Sequence, residues 1–367
     1  DNADTLAAYR ANKGYLVHGL DTDSAKVAAV RKQLVEKGLN GKVSVDVFDG
    51  KTLPYIDRLV NLVVSGVACP VSGEEIERVL APRGVALIGG RKSVKSVPSD
   101  IDDWGHFLYD PAAKNASRDT VAYFPEHLQW EAGPLHDRHH DTVQGIEAIV
   151  SCNGRLFYIV DDAPPSVSGA LPDRWRLAAR DAFSGVLLWK RDMGEFGWKA
   201  WAEKALVGRV NNPKDMQRRV VAVGDHVYAT LAYNAPVSEL DAATGEVLNT
   251  YKGTEATSEI LHVDGTLILG IRQPGIGVMA VQPDDGKILW RYDADDGASP
   301  LSREILFLCA GGGGVYFFTG DGITGVDVGS GKKLWHTSLE ATAAKERRKR
   351  IGGRYAYPSL LYHDGAV

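Results

Sequence analysis

Five of the chain's ten histidines, His106, His127, His136, His139 and His140, fall within 35 residues. Acidic residues are interleaved with them, in Asp102-Asp103-Trp104-Gly105-His106 and in His136-Asp137-Arg138-His139-His140-Asp141. Imidazole and carboxylate at this density form the donor set of a divalent metal site for Zn²⁺, Cu²⁺ or Fe²⁺. His106, His136, His139, His140 and Asp141 are the candidate ligands, and the matching activity is an oxidoreductase or other metal-assisted enzyme. His136 lies one helical turn from His139 and His140, but the Gly and Pro of the segment disfavour a helix, and no established ligand spacing emerges. The competing reading is a polar loop at the mouth of a larger scaffold, with Arg138 paired to an acidic neighbour.

The scaffold is written in the repeats that follow. Asp181-Ala-Phe-Ser-Gly185-Val-Leu-Leu-Trp189 recurs as Asp241-Ala-Ala-Thr-Gly245-Glu-Val-Leu-Asn249, Gln282-Pro-Asp-Asp-Gly286-Lys-Ile-Leu-Trp290 and Asp327-Val-Gly-Ser-Gly331-Lys-Lys-Leu-Trp335. Asp-x-x-x-Gly between apolar runs is a hairpin: the carboxylate accepts nearby backbone N–H groups and glycine supplies the positive φ. The marker glycines are 60, 41 and 45 residues apart, and the last two gaps match the ~40–45 residues of a four-stranded propeller blade. A second hairpin precedes each marker, around Gly154, Gly224, Gly265 and Gly311-Gly312-Gly313-Gly314. The repeated Trp189, Trp290 and Trp335 are expected to pack between blades. Ser359-Leu-Leu-Tyr-His-Asp-Gly365 begins the pattern again, so the chain is expected to be part of a longer polypeptide.

Residues 1–98 have another grammar. Strands are predicted at 15–20, 42–47, 59–64 and 82–88, with helices at 24–37 and 74–80 between them, the alternation of a parallel α/β sheet. Asp21 and Asp49 close the first two of these strands. An acid in such a place also commonly caps a helix, here the one from Ser24.

Asp21, Asp49 in Phe48-Asp49-Gly50, and Glu74-Glu-Ile-Glu-Arg-Val-Leu-Ala-Pro-Arg-Gly84 resemble the class I S-adenosylmethionine-dependent methyltransferases. That resemblance implies a ribose contact for Asp21 and an adenine-side contact for Asp49, with S-adenosylmethionine as cofactor. It departs from the family in lacking the Gly-rich loop and the final antiparallel strands. Asp103-Trp104, Leu128-Gln129-Trp130, Arg138-His139-His140-Asp141 and Trp175-Arg-Leu-Ala-Ala-Arg-Asp-Ala-Phe-Ser-Gly185 resemble large planctomycete-type proteins with pyrroloquinoline-quinone-like propellers. In them a methyltransferase-like segment precedes the propeller. Quinone-using relatives hold the cofactor with a vicinal disulfide, a stacking Trp and Ca²⁺. Here Cys69, Cys152 and Cys309 are far apart, so quinone binding is not expected; Cys152 and Cys309 lie in apolar strand contexts and are expected to be buried thiols.

The expected fold is mainly β: a partial quinoprotein-like β-propeller of four blades and the start of a fifth (148–367). It follows a partial α/β Rossmann-like segment (1–98) and a His-rich junction (99–147). A formal net charge of −5 argues against nucleic acid, and no apolar run is long enough to span a membrane as a helix. The expected role is a binding or scaffold module that takes a protein or glycan on the propeller face. Methyl transfer is the third reading, after metal-assisted catalysis, and a periplasmic or exported location is favoured. Trp198 and Trp201, on a predicted rim insertion, and the basic run 345–350 are secondary candidates for partner contact.

Overall fold

The Asp-x-x-x-Gly hairpins form as their chemistry requires. Asp241 accepts the N–H groups of Ala243 and Thr244 at 3.0 and 2.8 Å, and Gly245 turns at φ +73°. Asp327 accepts from Ser330 at 2.8 Å, and Asp181 accepts from Phe183 and Ser184. Each turn joins the third and fourth strands of one sheet. The computed structural model describes residues 2–11, 14–121, 124, 128–133, 146–164, 173–196, 200, 215–272, 276–293, 307–319, 322–338 and 359–367.

The chain divides into two compact units, residues 1–101 with 119–132 and 180–188, and residues 102–118 with 133–179 and 189–367. In the first unit, α1 (Ala3–Ala8) precedes β1 (Val17–Asp21), α2 (Ser24–Glu36) and β2 (Val43–Val47). Strands β1 and β2 pair in parallel from Val17↔Val43 to Asp21↔Val47. Leu6, Val27, Val30 and Leu34 of the helices bury Val43 and Val45 beneath them. Gly19 lets Leu6 pack close on the strand, where a Cβ would lie 2.9 Å from the end of the Leu6 side chain. Then follow β3 (Val60–Ser65), α3 (Gly73–Val79), β4 (Leu80–Ile88) and β5 (Arg91–Val94). β3 and β4 are parallel, and β5 turns back antiparallel on β4. The alternation thus gives parallel pairs. Among the described residues they form two separate sheets, β1–β2 and β3–β4–β5.

The remaining strands make four four-stranded sheets, each in chain order. The first has β6 (Ile146–Cys152), β7 (Arg155–Asp161), β8 (Trp175–Asp181) and β9 (Leu187–Asp192). The second has β10 (Val220–Val223), β11 (His226–Thr230), β12 (Val237–Asp241) and β13 (Val247–Thr250). The third has β14 (Thr257–Val263), β15 (Thr266–Ile271), β16 (Gly277–Val281) and β17 (Ile288–Asp293). The fourth has β18 (Cys309–Gly311), β19 (Gly314–Phe318), β20 (Gly322–Asp327) and β21 (Lys333–Ser338). First strands β6, β10 and β14 lie side by side, while fourth strands such as β17 and β21 are mostly exposed. These sheets are the blades of a β-propeller, first strand inward.

The tryptophans lock the blades as the repeat predicts. Trp189 donates its indole N–H to the Ala242 carbonyl at 3.0 Å and lies over Gly245, where a Cβ would sit 2.6 Å from the ring. Trp290 repeats this on Val328 and Gly331. The second blade has Asn249 in place of that Trp, and Tyr251, two residues later, caps Gly286 and bonds the Pro283 carbonyl at 3.1 Å. Trp335 instead stacks on Tyr316, with ring centroids 5.7 Å apart, and stays 37% exposed. Inside the first unit, Trp130 meets Ala182 and Gly185 in the same manner.

Candidate functional site

Of the described residues of the His-rich junction, 102–118 belong to the propeller unit. This segment crosses the ends of the first strands. Trp104 and Ser151 exchange backbone hydrogen bonds of 3.1 and 2.8 Å. The next residue, Gly105, accepts the Ala222 N–H at 2.9 Å, and His106 accepts the His262 N–H on Nε2 at 3.1 Å. After a turn in which His106 and Tyr109 pair with one another, Pro111 accepts from Ala310 at 2.7 Å and Ala112 from Tyr362 at 3.0 Å. Ser151, Ala222, His262 and Ala310 are each the next-to-last residue of β6, β10, β14 and β18. Tyr362 holds that place in the fifth repeat, before the His363↔Ala366 bridge.

Side chains lock this segment down. Asp103 accepts the Asn153 N–H at 3.0 Å and faces the Cys152 thiol. Asp102 accepts the Tyr109 hydroxyl at 2.6 Å and the Arg118 N–H at 2.7 Å. Glu259 of β14 is buried and accepts the N–H groups of Phe307 and Leu308 at 2.7 and 2.9 Å. Arg218 pairs with Glu259 and is sandwiched between the rings of Phe107 and Phe307, about 5 Å from each. Phe307 holds φ +53°, a left-handed conformation rare for a bulky residue, and its N–H is one of the two that Glu259 accepts.

His106 is only 6% exposed. Burial, reinforced by nearby His262, pushes it down to about 3. Its Nε2 lone pair is taken by the His262 N–H, so this nitrogen serves architecture in the structure. Burial, with Asp103 beside one thiol and Glu259 beside the other, pushes Cys152 and Cys309 up to about 12. These are the buried, unreactive thiols the strand context predicts. The pocket lined by His106, Phe107, Asp110, Arg218, Glu259 and Leu308 has room for little more than a water molecule.

Of the other proposed ligands, His136, His139, His140 and Asp141 lie outside the described residues, as do His127, Trp198, Trp201 and 345–350. Among the described residues, no three His, Cys, Asp or Glu side chains converge to hold a metal ion. Asp21 and Asp49 stand at neighbouring strand ends, where the Phe48 N–H bonds the Asp21 carbonyl. Asp21 accepts the Asp23 N–H on Oδ1. Asp49 accepts those of Lys51 and Thr52, which hold it below the usual carboxylate range. The cap of α2 is Asp23 rather than Asp21.

The contacts at the first-strand ends escape sequence reasoning, because four of the five acceptors are backbone carbonyls. One signal was available: Gly105 sits where a Cβ would lie 2.5 Å from the Ala222 carbonyl oxygen.

Four-stranded blades interlocked by tryptophan and closed at their first-strand ends define a pyrroloquinoline-quinone-like β-propeller. Residues 173–359 match the family model described as outer membrane protein assembly factor BamB, and the chain belongs to that family. No curated protein matches it significantly. Among solved structures, it is similar to the quinohemoprotein alcohol dehydrogenase of Comamonas testosteroni, at 16% identity and a TM-score of 0.40, over 65% of this chain and 41% of that one. The Pseudomonas putida HK5 enzyme ADHIIG gives 16% and 0.41, over 64% and 40%. The computationally designed Ika4 protein gives 16% and 0.34, over 53% and 99%. The chain spans about two fifths of the length of the two dehydrogenases.

No two cysteines are adjacent in the sequence, and the indoles of Trp189 and Trp290 are committed to neighbouring hairpins.

Proposed function

We propose that this chain is a binding propeller, a scaffold module that takes a protein partner on its face in an exported, periplasmic setting. The observation that supports this most is the closure of the first-strand ends by residues 104–112. His106, Glu259 and Arg218, the polar groups at that end, are spent on backbone and on one another. Binding chemistry then falls to the outer loops and faces. The family's naming for an assembly factor of outer membrane proteins supports a protein over a glycan. The test is quantitative binding by the purified chain, with a cross-linked protein partner identified, repurified and titrated. Saturable one-to-one binding is expected, together with no uptake of pyrroloquinoline quinone in the presence of Ca²⁺. Saturable binding to a glycan array alone would replace the partner class, and Ca²⁺-dependent quinone binding with alcohol oxidation would overturn the reading.

A second reading, binding of S-adenosylmethionine by the first unit, is favoured by one feature. Asp21 and Asp49 stand at adjoining strand ends, each carboxylate oriented there by local N–H groups on Oδ1. Calorimetry of the intact chain with S-adenosylmethionine decides it. Heat that is lost in Asp21→Asn and Asp49→Asn supports the reading, and absence of heat ends it.

A further inference from the structure

We infer that the first-strand ends of four blades, with the matching place at Tyr362 in the next repeat, form one continuous polypeptide-binding site, which the chain fills in cis with residues 104–112. The site's donors are the backbone N–H groups of Ser151, Ala222, His262, Ala310 and Tyr362, at equivalent places in successive repeats. Its ligand class is an extended polypeptide that offers acceptors at matching intervals. Four of those acceptors are main-chain carbonyls and the fifth is the imidazole of His106. Proline at 111 suits this use, since it presents a carbonyl while having no N–H of its own to satisfy.

The contacts act as one unit because they share one short backbone. Trp104, Gly105 and His106 serve three blades with consecutive residues, about 3.8 Å apart along the chain. Lifting any of them displaces the next. The turn from His106 to Tyr109, with Tyr109 at φ +77°, carries the chain to Pro111 and Ala112 without leaving the site. The Tyr109 hydroxyl on Asp102 and the Ala113 N–H on the Asp110 carbonyl hold the shape of that turn. The segment is therefore a clasp across five repeats. This holds whether or not a partner binds elsewhere on the propeller.

Native-state hydrogen exchange on the intact wild-type chain tests the inference without a variant. The five amides are expected to share one opening isotherm, distinct from that of amides in β16 such as Met279. Five unrelated isotherms would overturn it. Gly105→Ala places a methyl against the Ala222 carbonyl and is expected to speed exchange of all five amides by about tenfold, the worth of one hydrogen bond. A synthetic peptide of residues 102–113, added in excess, is expected to restore their protection in this variant. An effect confined to Ala222, or no restoration by the peptide, would show independent contacts instead of one site. If Gly105→Ala does not fold, the wild-type isotherms decide alone.

Discussion

Replacing His106 with alanine removes the acceptor of the His262 N–H and empties a closed site. An unsatisfied buried donor costs about 1–3 kcal/mol, and the lost ring volume brings the total to about 3–5 kcal/mol. The dependence on pH separates this from generic damage. Neutral imidazole accepts through Nε2, whereas a proton on that nitrogen would turn it into a donor facing another donor. His106 is held down from 6.5 to about 3 in the folded chain, chiefly by burial. A histidine lowered on folding contributes stability that is fully present above its unfolded value and is lost as pH falls toward the folded one. The loss runs at about 1.4 kcal/mol per pH unit. His106→Ala has no such group, so the gap between wild type and variant is widest at neutral pH. It should narrow by about 1.5–2 kcal/mol between about pH 6.5 and about pH 5. Urea unfolding followed by tryptophan fluorescence across that range measures it. His106→Gln, which keeps an acceptor but does not titrate, should recover part of the neutral-pH loss and none of the pH dependence. A gap below about 1 kcal/mol at neutral pH, or one that does not change with pH, would refute the assignment of a buried neutral acceptor.

Trp290→Ala should cost about 3–5 kcal/mol, because it strips the Gly331 turn and the Val328 carbonyl of their cover. Trp335→Ala should cost less than half of that, and the two denaturant midpoints make the comparison. Asp215→Ala leaves the fully buried Arg219 guanidinium without its carboxylate, so a loss of about 3–5 kcal/mol is expected in the same assay. Native alkylation at mildly alkaline pH should modify Cys69 and spare Cys152 and Cys309, whose thiols are buried and raised to about 12; equal labelling of all three would contradict their packing. Elemental analysis of the purified chain should find no stoichiometric transition metal. A metal lost from a His139→Ala/His140→Ala double variant would instead favour the metal-assisted enzyme.

The repeats were plain in the sequence because their determinants are local. Asp241 and Gly245 shape a turn within five residues, and the run after each turn alternates enough to mark a strand. The same locality made the helices and strands of residues 15–88 readable, including the Ser24–Glu36 helix. It did not reveal which strands pair or in what register, since strand adjacency is settled by long-range hydrogen bonding. Tyr251 standing in for the missing blade Trp was also hidden, being two residues off the repeat.

His106 shows the limit most clearly. Beside other histidines and carboxylates its type advertised a metal ligand, and nothing nearby in sequence announced His262, 156 residues on, as its partner. Residue type and spacing alone determined a propeller built of Asp-x-x-x-Gly hairpins and a helix-containing parallel segment before it. Only the tertiary structure decided that residues 104–112 bind along four first strands and the matching place in the next repeat, because carbonyl acceptors are common to every residue. What selects them is position, and position comes from the packing of the blades.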